Sequence, residues 1–429
     1  MSKKFDIIIV GAGIGGATLA LALACSSTAH FITVLESSSV ITELGAGIQV
    51  TPNFTRILTQ LGLGNSLAAV GVQPQYMRQV RWEDGKTLTH FNVNADDRME
   101  GLFGYKYWHV HRKDLHRLLY EKVLQRGVVV KPGVKATSWE HGSDGREIVH
   151  CDDGTIYEAD LVVGADGARS LMADLVTGHK VQSMATGDSA YRALLPAAVM
   201  DAPEFASLEL RKYATTWLGP GRHIVSYYVC DGAFYNIVII VPDEPGEESW
   251  KKLGDMPALR KQFMNWDPRI KKLLGMIDES YVWKLRDRPS LSKWVHDEGN
   301  LVLVGDSAHP MLPYIAQGAA SAAEDAMALA TCLEFVVEGK RDLRSVLKVY
   351  ESLRVPRTAH MRDAARANKE YFHLPDGPQQ VIRDEALRAD GLTGETPNQL
   401  NDVQKLKVLY SYDVKQEVVD HFRALDAKM

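Results

Sequence analysis

Cysteine is scarce in this chain of 429 residues. The four that occur, Cys25, Cys151, Cys230 and Cys332, are scattered and form no CxxC pair. That spacing argues against a disulfide framework or a zinc site and reads as reduced, intracellular thiols. Long apolar runs are missing as well. None nears the ~18 residues that a bilayer span needs. Neither sign of charge dominates, with 49 Lys and Arg against 54 Asp and Glu and a net charge of −5. No nucleic acid or anionic membrane is expected as a partner. The chain enters its first apolar run at Phe5, so no signal peptide is expected. There is no HExxH motif. His109 and His111 alternate on an extended segment but find no third ligand, so no metal is expected. What remains is ordinary: 45% hydrophobic and 24% charged residues at a two-domain length. The cytoplasm is the expected location. The end, Ala427-Lys428-Met429, loosely resembles a peroxisomal address, although a frayed terminus is the simpler reading.

Against these absences, one stretch stands out. Phe5-Asp-Ile-Ile-Ile-Val10 is fit for a buried parallel strand and breaks at Gly11-Ala-Gly13-Ile-Gly-Gly16. A small-residue helix, Ala17 to about Cys25, follows. A second strand, Phe31 to Leu35, ends on Glu36. Gly11 permits the tight turn, Gly13 a close backbone approach to a pyrophosphate, and Gly16 close helix–strand packing. Glu36 is placed to accept hydrogen bonds from a ribose. The unit predicts a bound dinucleotide, and FAD and NAD both fit it.

The pattern divides the chain into four parts. Residues 1–185 alternate short apolar strands with helices and form the first part of a nucleotide domain. Residues 186–290 change to strand and turn, an antiparallel sheet with helices that forms a substrate layer. Residues 291–370 return to the nucleotide domain through Leu301-Val-Leu-Val304 and a long helix from about Ala320 to Val337. Residues 371–429 are a helical C-terminal tail. The fold class expected is α/β, a Rossmann-type domain with an inserted sheet.

Two further strand ends carry chemistry. Asp160-Leu-Val-Val-Gly164-Ala-Asp166-Gly167-Ala-Arg169 presents a carboxylate at a small-residue turn. Leu301-Val-Leu-Val-Gly305-Asp306 does so again, and Gln317-Gly318-Ala319 then opens a helix. A carboxylate there can hold a polyol, and the helix N-terminus offers free N–H groups and a positive dipole end. Each turn also has a purely structural alternative, a strand-end turn at Asp166 and a helix cap at Asp306.

The three motifs in this order resemble the FAD-dependent aromatic hydroxylases typified by para-hydroxybenzoate hydroxylase, over nearly the whole chain. The segments Gly45-Ala-Gly-Ile-Gln49, Trp108-His-Val-His-Arg112-Lys-Asp114, Met311 to Gly318 and His373-Leu-Pro-Asp-Gly377 are similar to the salicylate hydroxylase-like members. The resemblance implies that Gly11, Gly13 and Gly16 take the FAD pyrophosphate and Glu36 the adenosine ribose. It implies that Arg112 faces the ribityl-phosphate region and that Asp306 holds the ribityl chain. Asp166 would sit behind the pyrophosphate, near where NAD(P)H is used. Ala46, Gly47 and Gln49 would flank the isoalloxazine, with Gly318 and Ala319 beneath it. One departure is Ala319-Ala-Ser321, where many relatives carry Asn. The absence of a second glycine fingerprint fits NAD(P)H as a transient co-substrate.

The implied reaction inserts one oxygen of dioxygen into a phenolic ring through a flavin hydroperoxide. It needs a dry site, a cation beside the phenol oxygen and a group to donate or relay a proton. Arg192 and Tyr227 suit these tasks, and the resemblance to fungal oxidative-dearomatisation enzymes assigns them so. A structural salt bridge for Arg192 and a core role for Tyr227 are the alternatives. Tyr191, Trp217 and Tyr228 are expected in the core. Two other functions stay open at this point: a flavin oxidase or dehydrogenase without oxygen insertion, and a non-catalytic nucleotide-binding protein. An indole-type ring is a further substrate alternative, and a homodimer is an open oligomeric state.

Overall fold

A computed structural model describes residues 4–26, 30–40, 46–243, 252–389 and 402–428. Gly45 of the expected flavin loop and Met429 lie outside the described residues.

A five-stranded parallel sheet forms the nucleotide domain. Its order is Leu301–Leu303, Leu161–Gly164, Asp6–Val10, Phe31–Glu36 and Val129–Pro132. The inner strands are covered on both faces, so they read as continuous apolar runs. Ile9, Leu161, Val162, Val163 and Leu301 are fully buried. Because all strands run the same way, their C-terminal ends share one edge. The glycine turn after Val10, the Gly164–Asp166 turn and the Gly305–Asp306 turn meet there. Ala165 N donates to Val10 O at 2.8 Å, and Val304 N to Gly164 O at 2.9 Å.

Helix Ile14–Cys25 is built mainly of Gly, Ala and Leu and can approach its neighbours closely. The Gly15 Cα faces helix Gly318–Val337, where an added Cβ would reach the Ala322 Cβ at 3.4 Å. The helix expected from Ala320 therefore starts two residues earlier, which places Gly318 and Ala319 in its first turn.

The second layer is a seven-stranded sheet: Val282–Asp287, Met184–Pro196, Phe234–Pro242, Arg222–Val229, Tyr213–Gly219, Tyr76–Arg81 and Thr87–Asn92. Two differences from the sequence reading stand out. Tyr76–Arg81 and Thr87–Asn92 come from the first 185 residues yet complete this sheet. Tyr76–Arg81 also runs parallel to Tyr213–Gly219, so the layer is mixed rather than wholly antiparallel. Local pattern could not reveal this, because a polar hairpin does not state which sheet it joins. A small three-stranded sheet, Ala136–His141, Glu147–Cys151 and Ile156–Ala159, was also not anticipated.

One face of the large sheet is sealed by the segment 256–277. Phe263, Trp266, Ile270 and Leu273 pack there on Tyr191, Trp217, Tyr228 and Ile237, all buried. The other face looks toward the nucleotide domain. Register puts Arg192 beside Val238 and Val225, and Leu194 beside Asn236 and Tyr227. Paired and alternate residues share a face, so these six form one surface.

Candidate active site

The edge of the parallel sheet is shaped by what cannot carry a side chain. Gly11 has φ +110°, and a Cβ there would sit 2.3 Å from Ala165 O. A Cβ on Gly16 would sit 2.0 Å from Gly11 O. Both glycines are demanded by packing. Gly13 differs: nothing lies within 4 Å of its would-be Cβ. The turn is thus closed behind and open in front, as a phosphate cradle at a helix N-terminus requires. Glu36 anchors the turn. Its Oε2 accepts from Ala12 N at 2.8 Å and its Oε1 from Ser38 N at 2.7 Å. His116 Nε2 lies 2.6 Å from Ala12 O.

The two carboxylate turns behave differently. Asp166 is turned inward. It accepts from Ser170 Oγ at 2.5 Å and Met172 N at 3.1 Å, and burial raises its carboxyl against those bonds. Asp306 is exposed although its neighbours Gly305 and Ser307 are buried. The nearby cations Arg112 and Arg288 feel its charge. Arg288 was not anticipated. It donates to Ser307 O at 3.1 Å and also to Ala168 O, tying the two turns together.

Behind Asp306 lies a buried ionic network that sequence reading also missed. Asp325 accepts from Gly305 N at 2.9 Å, from His309 Nε2 and from Arg354 Nε at 2.7 Å. Burial would raise this carboxyl, but His309 and Arg354 outweigh it and hold it below the usual range. Glu324 meets Arg354 at 3.0 Å and Arg357 at 3.2 Å, and accepts from Asn53 at 2.8 Å. Asn53 Nδ2 also donates to Gln317 Oε1 at 3.0 Å, directly before the helix that starts at Gly318. His309 is therefore a positional residue. The Glu324-Asp325 pair was visible in the sequence, but its arginine partners lie 29 to 33 residues away.

The substrate-layer residues meet this edge through Gly47. Its N donates to Asn236 Oδ1 at 2.7 Å. A Cβ on it would sit 2.5 Å from the Tyr227 ring. Arg112 N donates to Ala46 O at 3.1 Å, and the strand Gly47–Val50, paired with Trp108–His111, joins the two layers. Tyr227 is buried and stacks on His109 with centroids 4.0 Å apart. Its hydroxyl hydrogen-bonds Gln49, whose Oε1 also accepts from Tyr107. Burial raises the Tyr227 hydroxyl and lowers His109 to about 3, so both are neutral at pH 7.

Among the described residues no carboxylate pairs with Arg192. Its guanidinium lies over Trp283 at 5.2 Å, and its Nε has no partner. Burial and Arg112 pull it down to about 10, which leaves it charged at pH 7. Leu194, Val225 and Val238 around it are only half-buried. His109 Nε2 and Asn236 Nδ2 are likewise buried without partners. The arrangement offers a fixed cation, a neutral phenolic hydroxyl and an apolar surround next to an open phosphate cradle. No helix among the described residues is long and apolar enough to cross a membrane.

A family model described as an FAD binding domain matches residues 4–365. The FAD-dependent monooxygenase OpS4 of Beauveria bassiana is 33% identical over 391 residues, covering 90% of this chain and 89% of its own. The 3-amino-4-hydroxybenzoate 2-monooxygenase of Streptomyces cremeus is 36% identical over 392 residues, covering 91% and 93%. Among solved structures, Klebsiella pneumoniae HpxO complexed with FAD and uric acid superposes with a TM-score of 0.78 at 25% identity, covering 94% of this chain and 97% of that one.

Proposed function

The chain belongs to the FAD-binding domain family, and from that premise we propose that it hydroxylates a phenolic ring held by Arg192 and Tyr227. It is an FAD-dependent aromatic monooxygenase that uses NAD(P)H as co-substrate. The observation that carries the phenolic reading is the partnerless cation of Arg192, ringed by half-buried apolar side chains on the face that bears Tyr227.

Bound FAD supplies electrons from the nicotinamide and the activation of dioxygen. This chain's residues do the rest. The backbone at Gly13 would meet the pyrophosphate, Glu36 the adenosine ribose and Asp306 the ribityl hydroxyls. Gly318 and Ala319 would turn free N–H groups toward the flavin's pyrimidine edge, where negative charge is stabilised. Arg112 would stand between the cofactor and substrate sides, since both Asp306 and Arg192 feel its charge. Asp166 would act by holding the turn behind the pyrophosphate.

Arg192 would pair with the phenol oxygen. A phenol titrates near pH 10 in water, and an adjacent cation lowers an acid by about 1–3 units. The ring then carries the electron density that oxygen transfer needs. Tyr227, neutral and tied to Gln49 and Tyr107, would donate to or relay from the substrate oxygen. Leu194, Val225 and Val238 would exclude water from the ring. Loss of a hydrogen or carboxylate from the attacked carbon restores aromaticity, whereas a methyl group there leaves a hydroxy-dienone. A cytoplasmic location, with a peroxisomal alternative, and a homodimer remain parts of this proposal.

The test is a screen of phenols and salicylates for stimulated NADH or NADPH oxidation under ¹⁸O₂. One labelled oxygen in the product supports the reading. Hydrogen peroxide matching the substrate oxidised, with unlabelled product, would make the protein an oxidase instead.

A further inference from the structure

Three metal-binding side chains converge outside the substrate face. His111 ends the strand Trp108–His111, and Asp114 lies in the first turn of helix Arg112–Gln125. Cys230 follows the strand Arg222–Val229 and comes from more than a hundred residues later. One donor atom from each lies within 4.8 Å of the other two. In the sequence His111 has only His109 as a neighbouring histidine ligand and no third. That ring stacks on Tyr227 instead, and the fold supplies Asp114 and Cys230 in its place.

The geometry points to more than a chance cluster. Cys230 Sγ lies 3.6 Å from Asp114 Oδ2. A tetrahedral zinc ion with its usual sulfur and oxygen bond lengths separates those two atoms by about 3.5 Å. The other carboxylate oxygen, Asp114 Oδ1, faces Arg117 at 3.6 Å. That leaves Oδ2 for a ligand and gives the carboxylate the outer-shell partner that metal sites use to orient it. The thiol is held in place by its backbone. Cys230 and Asp231 both take left-handed conformations, at φ +54° and +50°, uncommon for residues with side chains. Asp231 N donates to Val70 O at 3.3 Å and Ala233 N to Cys230 O at 3.0 Å, which fixes the turn. All three side chains are half-buried, so an ion has a way in.

We propose that His111, Asp114 and Cys230 form a three-ligand site for a thiophilic divalent cation of the zinc class, with a fourth position open to water. A nitrogen, oxygen and sulfur set suits zinc rather than magnesium or calcium. Binding releases the Cys230 proton to solvent. The thiolate and carboxylate then balance the charge of the ion. The ion would clamp the end of the strand carrying Tyr227 to the helix that starts at Arg112. This does not rest on the phenolic reading of the substrate face.

The experiment uses FAD-loaded, thiol-reduced protein, stripped with chelator and dialysed against Zn²⁺ or Co²⁺. We expect about one Zn²⁺ per chain by elemental mass spectrometry. With Co²⁺ we expect tetrahedral ligand-field bands at wavelengths beyond the flavin absorption. Cys230→Ser and His111→Ala should each lose the metal while retaining flavin. Arg117→Ala should weaken binding about 10–100-fold. The wild-type titration decides even if a variant fails to fold. No zinc retained by the wild type, or equal retention by a folded Cys230→Ser, overturns the proposal.

Discussion

The cofactor edge and the substrate face differ in how their charged side chains are met. At the edge the carboxylates Glu36, Asp166 and Asp325 have partners within the fold and Asp306 is exposed, while Arg288 Nε, His309 Nδ1 and Ser321 Oγ are buried without one. Around the substrate face, Arg192 Nε, Asn236 Nδ2 and, on the strand stacked against Tyr227, His109 Nε2 are buried and have none. A buried polar group without a partner costs about 1–3 kcal/mol. A folded chain tolerates such a cost where a ligand removes it. On the proposed reading, the edge is built mainly of backbone turns and paired carboxylates, and the face presents a charged side chain, Arg192, to the substrate.

Substitutions should separate the two. The largest effect is expected at Gly16→Val, where the new side chain meets Gly11 O head-on. Flavin binding should disappear, and the melting temperature should fall with it. A yellow, stable variant would break the account of the edge. Asp306→Ala should weaken FAD about 10–100-fold, read by flavin content after gel filtration, because it removes charge-assisted hydrogen bonds to the ribityl chain. Full occupancy would deny that role. Tyr227→Phe should keep flavin and lower substrate-stimulated turnover about 10–100-fold, in line with loss of a proton donor. Unchanged turnover would return Tyr227 to the core.

The smallest effect is on stability in acid. Burial lowers His109 to about 3, His373 to about 4, and His223 well below its ordinary value. His223 Nδ1 and His373 Nε2 lie 2.8 Å apart and join the Arg222–Val229 strand to the end of helix Leu343–Phe372. These rings stay neutral in the folded chain, while the unfolded chain protonates them below about pH 6.5. The stabilisation is thus present above pH 6.5 and is lost as pH falls through about 4 for His373 and about 3 for His109. At pH 5 the loss from His109 is on the order of 2 kcal/mol. His109→Asn should flatten the acid limb of a melting-temperature profile, and an unchanged limb would contradict the assignment.

The same contrast explains what the sequence made legible. Gly11 to Glu36, the turn at Asp166 and the turn at Asp306 could be read because strand ends and glycines are local features. Their meeting at one edge followed from parallel strands. The supports of that edge were hidden. Arg288 follows a strand and Arg354 and Arg357 lie on a helix, each far in sequence from its partners, and a charged residue reads as a solvated one until its partner is known. The substrate face was legible only in part. Arg192 stood out as a charge in an apolar strand. The stack of His109 on Tyr227, the Gly47–Asn236 contact and the hairpin Tyr76–Asn92 depend on which strands pair, and no local pattern states that.

The most direct measurement is made on Arg192→Ala: flavin content and substrate-stimulated NAD(P)H oxidation in one preparation. With the edge and the face independent, the variant stays fully yellow. Its kcat/KM should fall by at least about a hundredfold, the scale of leaving a buried anion without its cation. Loss of flavin together with turnover, or normal turnover with flavin bound, would contradict the division of labour between the two regions.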